Sequence, residues 1–357
     1  MIKFYTFIIL TFALSACTTQ RQSDDLDFMR DQILENHPGI YNTLDPSFKD
    51  ALEKAYSIAR SSIGSSSNQE PIKTALSTFA KSFNDAHLWV RWEDVPKNDA
   101  AKIALPEQRQ STFTIKRLTP EITWITLPTF DIPPNQQKEF EHLLKQLPKL
   151  KTKGTIVFDL RGNQGGNSEY GDRVVDHLFG EGYANQQRHT AHKNISVDWR
   201  ASPGNLSPMR EMHARYKSDW MKHVADCIEE SINLHKPYYH AAPSDILNPN
   251  KIVRTHTVKA RIFVIIEPLN VSAALDFIDS LKMMNHKITL IGKTTKADRL
   301  YMEVRCVNLP SGLGTFSYPI KVYRNRPRGD NVPYIPDVDC HVTDTEKVVE
   351  CMENINE

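Results

Sequence analysis

The chain has 357 residues, with 40% hydrophobic and 24% charged side chains and a formal net charge of +1. That length accommodates one large domain or two ordinary ones around buried cores, and the composition is that of a soluble globular protein. Lysine and arginine do not form runs, so the sequence gives no electrostatic reason to expect nucleic acid as a partner.

The first twenty residues, MIKFYTFIILTFALSACTTQ, have the pattern of an export signal. Lys3 supplies a short basic start and residues 4–14 are apolar, but the apolar stretch is too short to span a bilayer. Small residues then precede Cys17. We therefore expect residues 1–16 to be a signal peptide and residues 17–24 to be a polar tether.

The four residues that end at Cys17, Leu-Ser-Ala-Cys, resemble the lipobox of bacterial lipoproteins. In such proteins the cysteine is lipidated and becomes the mature N-terminus, and each buried CH₂ of the acyl chains contributes about 0.8 kcal/mol to anchoring. Thr18 is not the aspartate that usually holds these proteins at the inner membrane. The resemblance implies a lipid-anchored protein of the cell envelope, at the periplasmic face of the outer membrane. The alternative is an ordinary secretory signal in which Cys17 is incidental.

Residues 25–86 have apolar side chains at three- and four-residue spacing, which is typical of amphipathic helices. The pattern occurs in three segments: DLDFMRDQILENH, PSFKDALEKAYSIARSSI and EPIKTALSTFAKSFND. We expect a small helical N-terminal subdomain over these residues.

From His87 onward, β-type runs alternate with helical segments, which predicts an α/β core at residues 87–342. The predicted strands are HLWVRW, ITWITLPTF, GTIVFDL, RIFVIIEP, KITLIG and FSYPIKVYR, and the predicted helices are QQKEFEHLLKQL, EYGDRVVDHLF and SAALDFIDSLKMM. Residues 182–249 are polar, with one predicted helix around 209–235 and no strand clearly in register with the core, so we expect an insertion or cap there. A C-terminal helix is expected at residues 343–357.

A glycine-rich turn follows the strand GTIVFDL, in the string DLRGNQGG at residues 159–166. Glycines at the start of a helix let backbone N–H groups face an anion or an oxyanion. The string is not a phosphate-binding loop, because it lacks the GK[ST] ending. Alone it is weak evidence, since many turns from strand to helix contain glycines for steric reasons.

Ser272 stands in LNVSAALDF, where an apolar strand turns into an apolar helix. A serine at that place is either an N-cap that satisfies free backbone N–H groups or a nucleophile beside those same donors. The residue alone does not decide between the two.

Several strings together resemble the C-terminal processing (tail-specific) serine peptidase family and its tricorn relatives. They are DLRGNQGG, the later SAA, the NLPSG turn, the final YIPDV and, near the N-terminus, ENHPGIY and FNDAHLWV. The resemblance runs from about residue 25 to residue 342 and implies a ClpP/crotonase-like α/β core of mixed strands and helices. It also implies a serine-type peptidase that acts on peptide or protein substrates through an acyl-enzyme, without a cofactor or metal. The stretch between His87 and Phe130 is too short for the PDZ domain that many relatives carry, because a PDZ domain needs roughly 80 residues or more.

The resemblance implies a catalytic triad by position in the family's motifs. His87, in Asp85-Ala86-His87, matches the histidine base, and Asp330, six residues before Pro336, matches the carboxylate that orients it. Ser272 matches the nucleophile. In this arrangement His87 takes the proton of Ser272 while Asp330 fixes the tautomer and stabilises the imidazolium.

The backbone of the two turns is expected to form the oxyanion hole. The N–H group of Ala273, directly after the nucleophile, and that of Gly165 or Gly166 are the candidate donors. One such donor is commonly worth about 3 kcal/mol in the transition state.

Two alternatives remain open from the sequence. In processing-protease relatives a lysine activates the serine, but the matching place here falls on Ala297 or Asp298, with Lys293 and Lys296 out of register. Relatives also commonly read S-A-x-E, whereas here Leu275 stands in place of the acid and Asp276 follows it, a shift of about 100° around a helix. A degenerate, peptide-binding lipoprotein without turnover is therefore the alternative to an enzyme.

Four cysteines remain in the predicted mature chain besides Cys17: Cys227, Cys306, Cys340 and Cys351. An even number in an oxidising compartment allows one or two disulfides, with three possible pairings, or free thiols. No CxxC or HExxH spacing occurs, so the sequence predicts no metal site. The sequence does not indicate an oligomeric state.

Overall fold

The computed structural model describes residues 25–63, 69–92, 112–150, 152–242, 256–341 and 344–354. The predicted signal peptide, Cys17 and the tether lie outside the described residues. The chain divides into two compact units. Of the described residues, unit 1 comprises those within 25–92, 196–242 and 299–325, and unit 2 comprises those within 112–195, 256–298 and 326–354.

Unit 1 combines helices with an antiparallel sheet. Its helices are α1 (25–36), α2 (Phe48–Ile63), α3 (Gln69–Lys81), α7 (Pro203–Tyr216) and α8 (Asp219–Asn233), and a 3₁₀ turn covers Pro38–Tyr41. Its strands are β1 (Trp89–Trp92), β5 (Ser196–Arg200), β6 (Tyr238–Ala241), β9 (Tyr301–Asn308) and β10 (Gly314–Arg324). The strand order is β1-β10-β5-β6, and β9 also pairs with β10.

The core of unit 1 forms because its helices each bury one apolar stripe. On α2 the buried positions include Leu52, Ala59 and Ile63, which follow the three- and four-residue spacing seen in the sequence. These residues share a cluster with Phe316 and Tyr318 of β10. The helical N-terminal segment therefore completes the core of the antiparallel sheet.

Unit 2 is built on a mainly parallel sheet. Its strands are β2 (Thr114–Arg117), β3 (Ile122–Thr126), β4 (Thr155–Asp159), β7 (Arg261–Ile266), β8 (Ile288–Gly292) and β11 (Val338–Asp339). Its helices are α4 (Gln137–Gln146), α5 (Ser168–Phe179), α6 (Glu181–His192), α9 (Ala273–Lys282) and α10 (Thr345–Glu353). The strand order is β11-β8-β7-β4-β3-β2, with β2 and β3 antiparallel and the other neighbours parallel.

Both faces of the unit 2 sheet are covered, which explains its nearly continuous apolar strands. Phe158 of β4 and Val264 of β7 belong to the large cluster that also contains residues of α4, α5 and α9. Val157 points to the opposite face, where it shares a smaller cluster with Val348 and Met352 of α10. A disulfide between Cys340 and Cys351 ties α10 to the end of β11.

The predicted α/β class with an N-terminal helical region is confirmed. The predicted reading of residues 182–249 was wrong in its details, because β5 and β6 lie within this range and β5 pairs with β10. Two helices, α7 and α8, occupy the place of the one predicted helix. The strands were missed because they are only five and four residues long, too short for the polar–apolar alternation of β5 to stand out as a strand signal.

The division of the fold also differs from the predicted boundary at His87, since unit 1 continues through β1 and takes two later stretches of chain. Over the described ranges, no helix combines the length and the apolar character needed to cross a membrane.

Candidate active site

Ser272 occupies the turn between β7 and α9, just before the first residue of the helix. Its backbone has φ 57° and ψ −128°, a combination that side-chain-bearing residues rarely adopt. Its side chain makes no capping hydrogen bond to the helix. Residues held in such conformations cost about 1–3 kcal/mol and cluster at functional sites. Capping therefore does not account for this serine, and its backbone is that of a sharp strand-to-helix turn.

The glycine turn of unit 2 packs directly against Ser272. Gly165 has φ 93°, and a Cβ atom built on it would lie 2.7 Å from the carbonyl oxygen of Val271 and 2.9 Å from the Cβ atom of Ser272. The same atom would lie 3.1 Å from the backbone nitrogen of Ala273. Gly165 is thus required both by its left-handed backbone and by the close approach of the two turns.

The structure separates the candidate oxyanion donors. The N–H group of Gly165 donates to Oδ1 of Asn163 at 2.9 Å, so it is already engaged. Gly166 is exposed, and in the described part of the chain neither its N–H group nor that of Ala273 has an acceptor. Of the two glycines that the sequence left open, Gly166 is therefore the better partner for Ala273.

Two asparagines fix the glycine turn to the serine turn. Asn163 accepts from Gly165 and donates from Nδ2 to the carbonyl of Leu127 at 2.9 Å. Asn270, two residues before Ser272, donates from Nδ2 to the carbonyls of Leu160 and Asn163 at 2.7 and 2.9 Å. Both asparagines are fully buried. Buried, satisfied amides of this kind hold backbone segments in one arrangement.

The Asp-Leu-Arg part of the glycine motif has a structural role. Asp159 is buried at the end of β4 and accepts from the backbone N–H and the guanidinium of Arg161. It also accepts from Nε1 of Trp124 at 3.1 Å. The bonds between Asp159 and Arg161 fix the backbone where β4 ends and the glycine turn begins.

The two residues that depart from the relatives' pattern have different environments. Leu275 is fully buried in the core of unit 2. Asp276 has a largely buried carboxylate that accepts from Nη2 of Arg328 at 3.0 Å and from Oγ of Ser168 at 2.7 Å. Burial raises the pKa of Asp276 to about 6, and the nearby Asp298 and Asp279 add to this, against the opposing effect of Arg328.

His87 lies in unit 1, two residues before β1, and is buried. Its backbone N–H donates to Oδ1 of Asp85 at 2.8 Å, and its Nδ1 lies 3.4 Å from the same oxygen. Its carbonyl accepts from Oγ of Ser317 on β10 at 2.9 Å. The Asp85-Ala86-His87 string is therefore a turn in which the carboxylate of Asp85 binds the backbone of the histidine and lies near its ring.

Asp330 lies in unit 2, on an exposed turn after Gly329. The base of this turn is firmly held, because Arg328 and Arg326 both pair with the buried carboxylate of Asp298. The backbone N–H of Asn331 donates to the carbonyl of Asp298 at 3.0 Å. Asp330 is therefore exposed, but the residues on both sides of it are fixed by bonds to Asp298.

The two lysines near the serine turn have polar surroundings. The Lys293 ammonium pairs with Asp339, and the Lys296 side chain is exposed. A lysine that acts as a general base must be neutral, which requires removal from water and from counter-charges. Neither lysine meets this requirement.

Sequence reasoning missed Asn270, Arg328 and Ser168. Asn270 precedes Ser272 by two residues, and an amide there is a common turn former, so the signal existed but was not specific. Arg328 and Ser168 are 56 and 104 residues from Ser272 along the chain, and only the fold brings them to α9.

A serine on a strained turn at the end of a parallel strand, packed against a glycine-rich turn, is an arrangement typical of serine hydrolases. The model of peptidase family S41 matches residues 121–338, more than half of the chain. The protein therefore belongs to peptidase family S41 and is a hydrolase of the serine peptidase class.

Two solved structures of mature CPAF agree with this chain at the level of the fold. Mature CPAF in complex with lactacystin matches with a TM-score of 0.58 and 10% identity, covering 95% of this chain and 97% of that one. Mature CPAF without that compound matches with a TM-score of 0.57 and 10% identity, covering 95% and 96%. A lipoprotein from Streptococcus agalactiae matches with a TM-score of 0.49 and 11% identity, covering 94% and 96%. The comparison with curated protein sequences found no match.

Proposed function

We propose that this protein is a catalytically active serine peptidase in which Ser272 is the nucleophile, His87 the general base and Asp330 the carboxylate that orients the base. The observation that carries the proposal is the backbone of Ser272, at φ 57° and ψ −128°, packed against Gly165 of the glycine turn. Strain of this kind persists only where the surrounding structure enforces it.

In the proposed reaction the Ser272 hydroxyl attacks the carbonyl carbon of a peptide bond while His87 takes its proton. The negative oxygen of the tetrahedral intermediate receives hydrogen bonds from Ala273 and Gly166. The intermediate then expels the amine, which takes the proton from His87, and leaves an acyl-enzyme. A water molecule that gives its proton to His87 hydrolyses the ester and restores the serine.

Two alternatives define the outcomes of the test. The lysine-assisted dyad is disfavoured by the ion pair of Lys293 and the exposure of Lys296. The alternative of a degenerate, peptide-binding lipoprotein was suggested by Leu275, which stands where relatives have an acid. Asp276 supplies a carboxylate one position later, and this carboxylate accepts a hydrogen bond from the helix that follows the glycine turn. Preserved strain at Ser272 has no evident use in a protein without turnover, and it favours the active enzyme.

The catalytic proposal is tested by hydrolysis of a complex peptide mixture, with new N-termini detected by mass spectrometry. Wild type, Ser272→Ala, His87→Ala, Asp330→Ala and Lys296→Ala are compared. We expect loss of cleavage in the first two variants, a decrease of about 10²- to 10⁴-fold being typical for loss of a general base, and little change in Lys296→Ala. Cleavage that survives in Ser272→Ala, or that is lost only in the lysine variant, would refute the assignment.

The proposal extends to the location of the enzyme. The Leu-Ser-Ala-Cys string supports a lipid anchor on Cys17 at the periplasmic face of the outer membrane, and substrates would then be peptides or proteins of the cell envelope. Metabolic labelling with a palmitate analogue, followed by membrane fractionation, tests this for wild type and Cys17→Ser. We expect label and membrane association in the wild type alone, and equal fractionation of both proteins would contradict the anchor.

A further inference from the structure

The carboxylate of Asp276 contacts two other elements of unit 2. Its Oδ2 accepts from Oγ of Ser168, the first residue of α5, at 2.7 Å. Its Oδ1 accepts from Nη2 of Arg328 at 3.0 Å. Its backbone N–H donates to the carbonyl of Ser272 at 3.1 Å, so Asp276 also closes the first turn of α9. One residue therefore touches the helix of the serine, the helix that follows the glycine turn and the segment that leads to Asp330.

These contacts fix the two turns that form the proposed oxyanion hole relative to each other. Ser168 follows Gly166 by two residues, and Ala273 precedes Asp276 by three. The bond between Ser168 and Asp276 therefore joins the two helices within three residues of Gly166 and Ala273, the proposed donors. A shift of one turn against the other by about 1 Å is enough to lower a rate by about 100-fold.

We propose that Asp276 is a positioning residue of the peptidase reaction, which holds the first turn of α9 against the start of α5 and so sets the distance between Ser272 and the oxyanion donors. This inference depends on the proposed function, because it assigns Asp276 a role in the reaction of Ser272. Asp276 itself touches no reacting atom.

The charges around Asp276 make a purely stabilising role a poor explanation. Arg328 is held by Asp276, Asp279 and Asp298, so three carboxylates share one buried guanidinium. Buried ionic clusters of this kind commonly contribute less to stability than apolar side chains of the same volume. A geometric role for Asp276 explains why the cluster extends to the first turn of α9.

The same two helices contain a matched control. One turn further along, Oγ of Ser280 on α9 donates to Oδ1 of Asp172 on α5 at 2.8 Å. This pair has the same chemistry and joins the same helices as the pair of Ser168 and Asp276, with the serine and the aspartate exchanged. It differs in its distance from Ser272 along α9.

The experiment compares Asp276→Asn and Ser168→Ala with Asp172→Asn and Ser280→Ala. The measured quantities are the maximal rate and the half-saturating concentration for labelling by a fluorophosphonate, in which the serine oxygen displaces fluoride from phosphorus, together with the thermal midpoint. We expect the maximal rate to fall about tenfold in the first pair and less than about twofold in the second, with little change in half-saturation. We also expect partial recovery in Asp276→Glu, which keeps the charge.

The outcomes separate this inference from the proposed function. Equal loss of rate in both pairs, in proportion to the fall of the thermal midpoint, would show a structural role and overturn the inference. A labelled wild type with an unaffected Asp276→Asn would do the same while leaving the proposed function intact. A wild type that is not labelled at Ser272 would overturn the proposed function, and the inference with it.

Discussion

Gly165 and Ser272 approach so closely that a methyl group on the glycine would come within 2.9 Å of the Cβ atom of the serine. The contact joins the turn after β4 to the turn after β7, two neighbouring parallel strands. Ligand and catalytic sites of open parallel sheets form at the carboxyl ends of their strands. The glycines of this motif are therefore explained by the close contact of their turn with the turn that contains Ser272.

The substitution Gly165→Ala tests this contact. We expect fluorophosphonate labelling to fall by about 100-fold, because the added methyl group has to push back the backbone at Val271 and Ser272. Gly180→Ala is the matched control, since Gly180 has φ 95° against 93° for Gly165 but no atom within 4 Å of an added Cβ. If both variants lose labelling equally, backbone strain alone and not the contact with Ser272 is responsible.

The strain at Ser272 predicts an unusual order of stabilities. Glycine tolerates φ 57° and ψ −128° without steric cost, whereas alanine does not. We expect Ser272→Gly to be more stable than Ser272→Ala by about 1 kcal/mol or more, although both variants lose activity. Urea unfolding of the two proteins measures the difference. An alanine variant as stable as the glycine variant would show that the turn is not strained.

The raised pKa of Asp276 predicts a change of stability with pH. Between about pH 4 and pH 6 the folded protein holds a proton on Asp276 that the unfolded chain has lost, so this group makes the folded state less stable as the pH rises through that window. Burial is the main cause, Asp298 and Asp279 act in the same direction, and Arg328 and Ser168 oppose them. Asparagine does not titrate.

The free energy of unfolding of Asp276→Asn, relative to that of the wild type, should therefore rise between pH 4.5 and pH 7, by on the order of 2 kcal/mol. Urea unfolding at several pH values gives this difference. A difference that stays flat or falls with pH would contradict the raised pKa. At neutral pH we expect Asp276→Asn to lose activity without a matching loss in its free energy of unfolding.

The disulfide between Cys340 and Cys351 closes a short loop that carries α10. For a loop of this length, chain entropy predicts that Cys351→Ser lowers the free energy of unfolding by about 3 kcal/mol. Val348 and Met352 of α10 cover one face of the unit 2 sheet, so the loss should be visible as a lower unfolding midpoint. Cys306→Ser, at an exposed free thiol, is the control. An unchanged midpoint after reduction would contradict the stabilising role.

The sequence predicted those elements whose physics is local. Continuous apolar runs such as RIFVIIEP became β7, and the periodic segments of the N-terminal region became α2 and α3. DLRGNQGG and LNVSAALDF occur in the same order as in the family, and this order pointed to a contact between them. The structure places that contact between Gly165 and Ser272. Resemblance, and not periodicity, supplied that link.

What the sequence could not predict depends on pairing over long distances. β5 and β6 are only five and four residues long, and they exist because β10 offers β5 a partner more than 100 residues away. The composition of unit 1 from three separate stretches is likewise a property of tertiary contacts. Asp276 is the sharpest case: in the sequence it was a displaced acid, and its partners Ser168 and Arg328 became visible only in the fold.

The most direct test of the account is covalent labelling of the purified mature protein with a fluorophosphonate, followed by mass spectrometry of the proteolytic fragments. The account predicts one adduct, on the oxygen of Ser272, that is absent in Ser272→Ala and strongly slowed in His87→Ala. Labelling at another serine, or labelling that persists in Ser272→Ala, would contradict the claim that this strained serine is the nucleophile of the peptidase.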